Sequence, residues 1–201
     1  DPGERGGVSP TVLRPRRTWR RQPHGVQAPA NVAASAPRCS RTHAIPTGGL
    51  EALHFIRKGN IRRGEKVLII GAGGSIGSFA VQLAKYYGAE VTGVDSTSKL
   101  EMLRSIGADH VIDYTQEAFT RNGETYDVIF DVPGKSSFSG SMKSLKQNGR
   151  YLLANPGLSH ALREPWAAMR SGKKVIFGAA SQKTEDLFFL RGLIETGKIK
   201  A

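Results

Sequence analysis

The chain has 201 residues, a formal net charge of +12, 39% apolar and 23% charged residues, and a single cysteine, Cys39. This length holds one ordinary domain with an appendage, and the composition is that of a soluble globular protein. No stretch approaches the ~18 apolar residues of a membrane helix, and one cysteine excludes an internal disulfide and a cysteine-cluster zinc site; no membrane partner and a reducing compartment, the cytoplasm, are therefore expected.

The charge is unevenly spread. Residues 1–42 carry eight arginines, two acids, six prolines and no lysine, whereas residues 43–201 hold all twelve lysines. The head has neither a helical nor a strand period and cannot bury enough apolar surface to offset its ordering entropy. Three readings stay open for this irregular basic segment, residues 1–43: a disordered arm, an Arg-rich targeting segment with prolines unsuited to an amphipathic helix, or a stretch foreign to the domain from a misread start. The remainder carries 21 basic and 15 acidic residues without a run. It lacks the aromatic-and-basic ladder of an RNA-binding surface, so nucleic acid is not an expected partner.

From Ala44 the texture is regular. Thr47–Lys58 has a helical pattern closed by Gly59-Asn60, and Lys66–Ile70 reads as the first strand. A helix over Ser78–Tyr87, stopped by Gly88, leads to a second strand at Glu90–Val94. A helix over Ser98–Ile106, stopped by Gly107, leads to a short third strand at His110–Ile112. Asp127–Asp131, Arg150–Ala154 and Val175–Phe177 read as strands four to six, with helices over Ser137–Gln147 and Thr184–Glu195. Strands alternating with helices at this spacing predict an α/β fold, a doubly wound, parallel, six-stranded Rossmann sheet over residues 44–201.

The segment Val67–Gly77, VLIIGAGGSIG, joins an apolar strand to a helix through glycines. A strand that turns tightly into a helix leaves the helix's first N–H groups unpaired, and with the helix dipole these make a phosphate site that side chains would block. The usual G-x-G-x-x-G spacing fails, because Ile76 stands at its sixth position; the loop fits G-x-x-G-x-x-G through Gly71, Gly74 and Gly77, with Gly73 extra. Asp95, 24 residues after Gly71, ends the next strand, where a carboxylate accepts hydrogen bonds from an adenosine ribose. That favours NADH, while Lys99 and the hydroxyls of Ser96, Thr97 and Ser98 favour the 2′-phosphate of NADPH. Tyr114 either flanks an adenine or caps the sheet edge. The loops after strands four and five, with Val132 and Asn155, are set to border a nicotinamide. His43, His54, His110 and His160 lack metal-ligand spacing. A short-chain reductase Tyr-Lys pair, a P-loop and a G-x-S-x-G elbow are all missing.

AIPTGGLEALHFI, GEKVLIIGAGGSIGSFAVQLAKYYGAEVTGV and LRSIGADHVIDY together resemble the cofactor-binding half of medium-chain dehydrogenases/reductases, and the loop form is similar to the zinc-independent quinone oxidoreductase and enoyl reductase branch. The resemblance covers residues 44–201. It implies NADPH or NADH held by Gly74, Ser75, Ile76 and Gly77 at the pyrophosphate and by Asp95–Lys99 at the ribose. It further implies hydride transfer to a quinone or an α,β-unsaturated carbonyl, no metal, no acid–base side chain in this chain, and room for a homodimer. Glu51 stands where many quinone reductases carry a threonine near the nicotinamide. The family also sets a barrel-type substrate domain before this region and continues beyond GKIKA, so the chain is expected to be part of a longer protein with little activity alone. Two other classes share parts of the pattern: S-adenosylmethionine-dependent methyltransferases and non-catalytic nucleotide-binding modules.

Overall fold

The computed structural model describes residues 45–155, 172–178 and 183–200. The basic segment 1–43 lies outside them. Six strands, β1 (Lys66–Ile70), β2 (Glu90–Asp95), β3 (His110–Asp113), β4 (Tyr126–Asp131), β5 (Leu145–Leu153) and β6 (Lys174–Phe177), form one sheet in the order β3-β2-β1-β4-β5-β6. Every neighbouring pair is parallel. The order reverses between β1 and β4, and in open parallel sheets ligands settle outside the carboxyl ends of the strands at that reversal.

The strands are apolar on both faces, as a doubly covered parallel sheet requires. Val67, Ile69, Val91, Val128, Phe130 and Leu152 face one core, closed by α1 (Leu50–Lys58), α2 (Ser75–Tyr86), α3 (Leu100–Ser105) and α5 (Thr184–Glu195). Leu68, Ile70, Val94, Ile129, Tyr151 and Leu153 face the other, closed by α4 (Phe138–Ser144) and the turn at Phe119–Arg121. The second half of α1 is held twice: Phe55, fully buried, stacks at 5.2 Å on Phe130 of β4, and Arg57 pairs with Asp186 of α5. After α5 the chain returns to α2, where Gln82 takes both backbone groups of Lys200, donating to its carbonyl at 3.1 Å and accepting its N–H at 2.6 Å. No described helix is long and apolar enough to cross a membrane.

Several boundaries differ from the sequence expectations: the first helix, expected over Thr47–Lys58, is a π-helical turn at Ile45–Gly49 followed by α1. α2 starts at Ser75, inside the glycine loop, three residues before the expected Ser78. The helix expected from Ser98 is a 3-10 turn over Thr97–Lys99 followed by α3. β2 and β3 each run one residue further, to Asp95 and Asp113. The largest difference is at Ser137–Gln147: the helix stops at Ser144, and β5 begins at Leu145, paired with Tyr126, before four residues loop out and pairing resumes at Arg150–Val128. Asn148 takes a left-handed conformation (φ 61°) in that loop, an Asn-Gly turn that ends helical geometry.

Removing the Phe55 ring would leave a cavity between α1 and the sheet. Phe55→Ala is expected to lower stability by about 3–5 kcal/mol, read as a lower midpoint in urea unfolding.

Candidate functional site

At the carboxyl end of β1 the chain turns sharply. Gly71 adopts φ +74°, a conformation that favours glycine, and the N–H groups of Gly71 and Ala72 both donate to the Val94 carbonyl, at 3.0 and 3.1 Å. Gly74 N–H donates back to the Gly71 carbonyl at 3.1 Å, and Gly74 then caps α2 in extended conformation without any side-chain cap. The first-turn N–H groups of Ser75, Ile76 and Gly77 therefore face outward with the positive end of the helix dipole behind them. A Cβ on Gly77 would run into the Gly71 carbonyl oxygen and lie 2.6 Å from Ala72 Cα, so α2 sits directly on the turn. A Cβ on Gly74 would meet only the Gly71 oxygen, at 3.4 Å; the front of the loop is open. Ile76 turns inward and packs against the core.

Two aspartates flank the loop on the β2–β3 side, adjacent in register. Asp95 is buried, and its two oxygens accept the Gly73 N–H at 2.7 Å and the Ser96 N–H at 2.8 Å, with Lys99 Nζ 3.4 Å from Oδ1. The stem of Lys99 crosses over Gly73, at a point where any side chain on that glycine would collide with it. Asp113 accepts the Thr97 hydroxyl, the Thr115 N–H at 2.9 Å and the Thr115 hydroxyl at 2.7 Å. The hydroxyls of Thr97 and Thr115 hold its carboxyl below the usual aspartate range. Tyr114 follows with its ring 63% exposed at the sheet edge, its N–H donating to the Asp95 carbonyl at 3.2 Å.

On the other side of the reversal the loops after β4 and β5 interlock. Val132 N–H donates to the Ile70 carbonyl at 3.2 Å, and Pro133 packs where a Gly71 side chain would go. Asn155 donates from Nδ2 to the Val132 carbonyl at 2.8 Å, and its own carbonyl occupies the space beside Gly134 (φ +63°). Beneath them Asp131 is fully buried and accepts the Gly134 N–H at 2.8 Å, the Ser136 N–H at 3.2 Å, the Ser136 hydroxyl and the Tyr151 hydroxyl at 2.8 Å. Burial and the Asp131 charge push the Tyr151 phenol up, so it remains a donor. Sequence reasoning set the loop after this strand beside the nicotinamide and gave Asp131 no network; the signal was a carboxylate closing an otherwise apolar strand, but its partner Tyr151 lies 20 residues on.

The structure thus gathers Gly71, Gly73, Gly74, Ser75, Gly77, Asp95, Ser96 and Lys99 around one loop, with Val132 and Asn155 across the reversal and Tyr114 at the outer edge. The π-helical turn Ile45–Gly49 that leads into α1 closes the back, Gly48 lying against the Ser75 carbonyl so tightly that a Cβ would be 2.8 Å away. Glu51, in the first turn of α1, is half-buried, and burial raises its carboxyl. Clefts of 360 and 480 Å³ lie at the opposite, amino ends of the strands, where the ion pairs Lys66–Glu124 and Arg150–Glu65 fix the strand starts.

A family model described as zinc-binding dehydrogenase matches residues 75–163. The chain is 32% identical over 159 residues to a 2-methylene-furan-3-one reductase of Solanum lycopersicum, covering 78% of this chain and 37% of that one. It is 42% identical over 89 residues to an NADPH-dependent alkenal/one oxidoreductase, chloroplastic, of Arabidopsis thaliana, covering 43% and 22%. The quinone oxidoreductase of Coxiella burnetii superposes with a TM-score of 0.71 at 26% identity, covering 78% and 49%. The chain is similar to reductases of the medium-chain dehydrogenase/reductase superfamily. It spans about half or less of the length of these relatives. Although the matching family model is described as zinc-binding, the described residues include no group of three or more His, Cys, Asp or Glu side chains that could hold a metal ion.

Two outcomes follow from the packing of this loop. A Gly→Ala change inside a helix ordinarily stabilises by about 1 kcal/mol, but the Gly77 methyl would meet backbone that has no rotamer to yield. Gly77→Ala is expected to destabilise by about 1–3 kcal/mol in urea unfolding, while Gly74→Ala, facing open space, leaves the midpoint nearly unchanged. Asp113 has a lowered folded pKa, so its stabilisation is fully present above the unfolded value of about 3.9 and is lost as pH falls through the folded value. In Asp113→Asn the decline of stability below about pH 4 should flatten, measured by urea midpoints across the acid range.

Proposed function

We propose that residues 44–201 form the cofactor-binding domain of an NAD(P)H-dependent reductase that acts without zinc on a quinone or an α,β-unsaturated carbonyl. The observation that carries this reading is the uncapped start of α2 behind an open glycine loop at the reversal of the strand order, with a carboxylate ending the next strand. The names of the relatives, a furanone reductase, an alkenal/one oxidoreductase and a quinone oxidoreductase, support the substrate class. The reducing, cytoplasmic setting rests on the single cysteine, and a homodimer is compatible with the reading.

Each residue has a role that its chemistry allows. The N–H groups of Ser75, Ile76 and Gly77 donate to pyrophosphate oxygens, and Gly71, Gly73 and Gly74, whose own N–H is spent on the Gly71 carbonyl, let the backbone approach. Asp95, Ser96 and Lys99 take the adenosine ribose, and the exposed Tyr114 ring flanks the adenine. Val132 and Asn155 border the nicotinamide, and the Asp131–Tyr151 network holds their loops still. When bound, reduced nicotinamide supplies the hydride. The protein's contribution is orientation: fixed loops aim the reacting carbon and keep water from that face, with no side chain of this chain acting as acid or base.

Binding is the direct test. Thermal unfolding in the presence of NADPH, NADH or S-adenosylmethionine should rise for a nicotinamide dinucleotide and stay level for S-adenosylmethionine; at a hundred times Kd the gain is about 2.7 kcal/mol. A rise with S-adenosylmethionine alone would assign the loop to methyl transfer.

A further inference from the structure

We propose that Asp113 is the positioning residue that sets selectivity for a 2′-phosphate on the cofactor's ribose, acting through Thr97. This rests on the reading that the Gly71–Gly77 loop holds a nicotinamide dinucleotide.

Asp113 makes no hydrogen bond to Gly71–Gly77 among the described residues. It ends β3, buried, one strand away from Asp95, and sends nothing toward the glycine loop. Its Oδ1 is taken by Thr115, both N–H and hydroxyl, and its carbonyl by the N–H groups of Gln116 and Glu117. Its Oδ2 accepts the Thr97 hydroxyl. That bond crosses from the β3 end to the middle of the segment between β2 and α3, which carries the Ser96 and Ser98 hydroxyls and the Lys99 ammonium.

The segment is a short turn. Its backbone is held by two bonds, Lys99 N–H to the Ser96 carbonyl at 2.9 Å and Leu100 N–H to the Thr97 carbonyl, and no side chain caps it. Ser96 is tied to Asp95 at the start, through its N–H. The Thr97 side chain is tied to Asp113. The Ser96 and Ser98 hydroxyls lie 3.4 Å apart, and Lys99 Nζ, 3.4 Å from Asp95 Oδ1, belongs to a side chain that is 44% exposed. Two hydroxyls and an ammonium on one short turn form a donor set for a phosphate monoester dianion, in which charge-assisted bonds demand fixed geometry. A bare 2′,3′-diol asks for an acceptor instead, and Asp95 supplies that from the strand itself, independently of where Thr97 lies. Loss of the Asp113–Thr97 bond therefore loosens the phosphate donors and leaves the diol acceptor in place.

The test measures Kd for NADPH and NADH on the full chain, with adenosine 2′,5′-bisphosphate and 5′-AMP as probes of the ribose end alone. Wild type is compared with Asp113→Ala, Thr97→Val, the double variant and Thr97→Ser. Each of the first two should weaken NADPH and the bisphosphate by about tenfold, the size expected for hydrogen bonds to a charged group, while NADH and 5′-AMP shift by less than about twofold. The double variant should be no worse than Asp113→Ala, because that substitution already removes the bond that Thr97→Val removes. Thr97→Ser, which keeps the hydroxyl, should behave as wild type. Equal losses for both dinucleotides, additive losses in the double variant, or unchanged NADPH binding in Thr97→Val would overturn the inference while leaving the cofactor reading intact. Wild-type protein that binds neither dinucleotide would overturn the cofactor reading and this inference with it.

Discussion

The carbonyl oxygen of Gly71 occupies the space that a side chain at position 77 would need. Helix α2 consequently rests on the turn that leaves β1, with nothing between them but backbone. That contact fixes where the helix begins, and so where its unpaired N–H groups point. It also fixes how far the turn can extend sideways: on one flank Gly73 reaches Asp95, on the other Gly71 meets Pro133 from the β4 loop. The glycine spacing is the covalent expression of this packing. The seven-residue form, one longer than the common fingerprint, accommodates the extra residue by starting the helix at Ser75, so the serine and isoleucine belong to the first helical turn rather than to the loop.

What could be read from the chain beforehand was whatever is encoded locally. Short apolar runs marked the strands, clearest in β1 and β4 at the centre of the sheet, because a doubly covered parallel strand must be apolar on both faces. The glycine loop was legible for the same reason: its constraint lies within seven residues. The Ser137–Gln147 stretch misled, since its helical start is genuine and only the Asn148-Gly149 turn announces that Leu145 has already joined the sheet. The site's supporting bonds were not legible at all. Asp131 with Tyr151, Asp113 with Thr97, and Asn155 with the Val132 carbonyl join residues 16 to 23 apart in sequence, brought together only by strand register.

The two flanks of the site are built differently. Across the reversal, Asp131 is fully buried and gathers a tyrosine, a serine and two backbone donors, so the β4 and β5 loops share one anchor. On the β2–β3 flank the work is divided: Asp95 accepts from Gly73 and Ser96, Asp113 from Thr97 and Thr115, and the residues between Ser96 and Lys99 form a short turn over them.

Asp95, Asp113 and Asp131 are each the last residue of their strands. Each also accepts hydrogen bonds from the loop that follows it, so the loops are stapled to the part of the molecule that opens last. The amides of Gly73, Ser96, Thr115 and Gly134 are thereby tied to the sheet's own opening, and their hydrogen exchange belongs with the slow, global class rather than with fraying surface turns. A ligand meeting this rim finds it already ordered, and little of its binding energy goes into arranging the backbone that receives it.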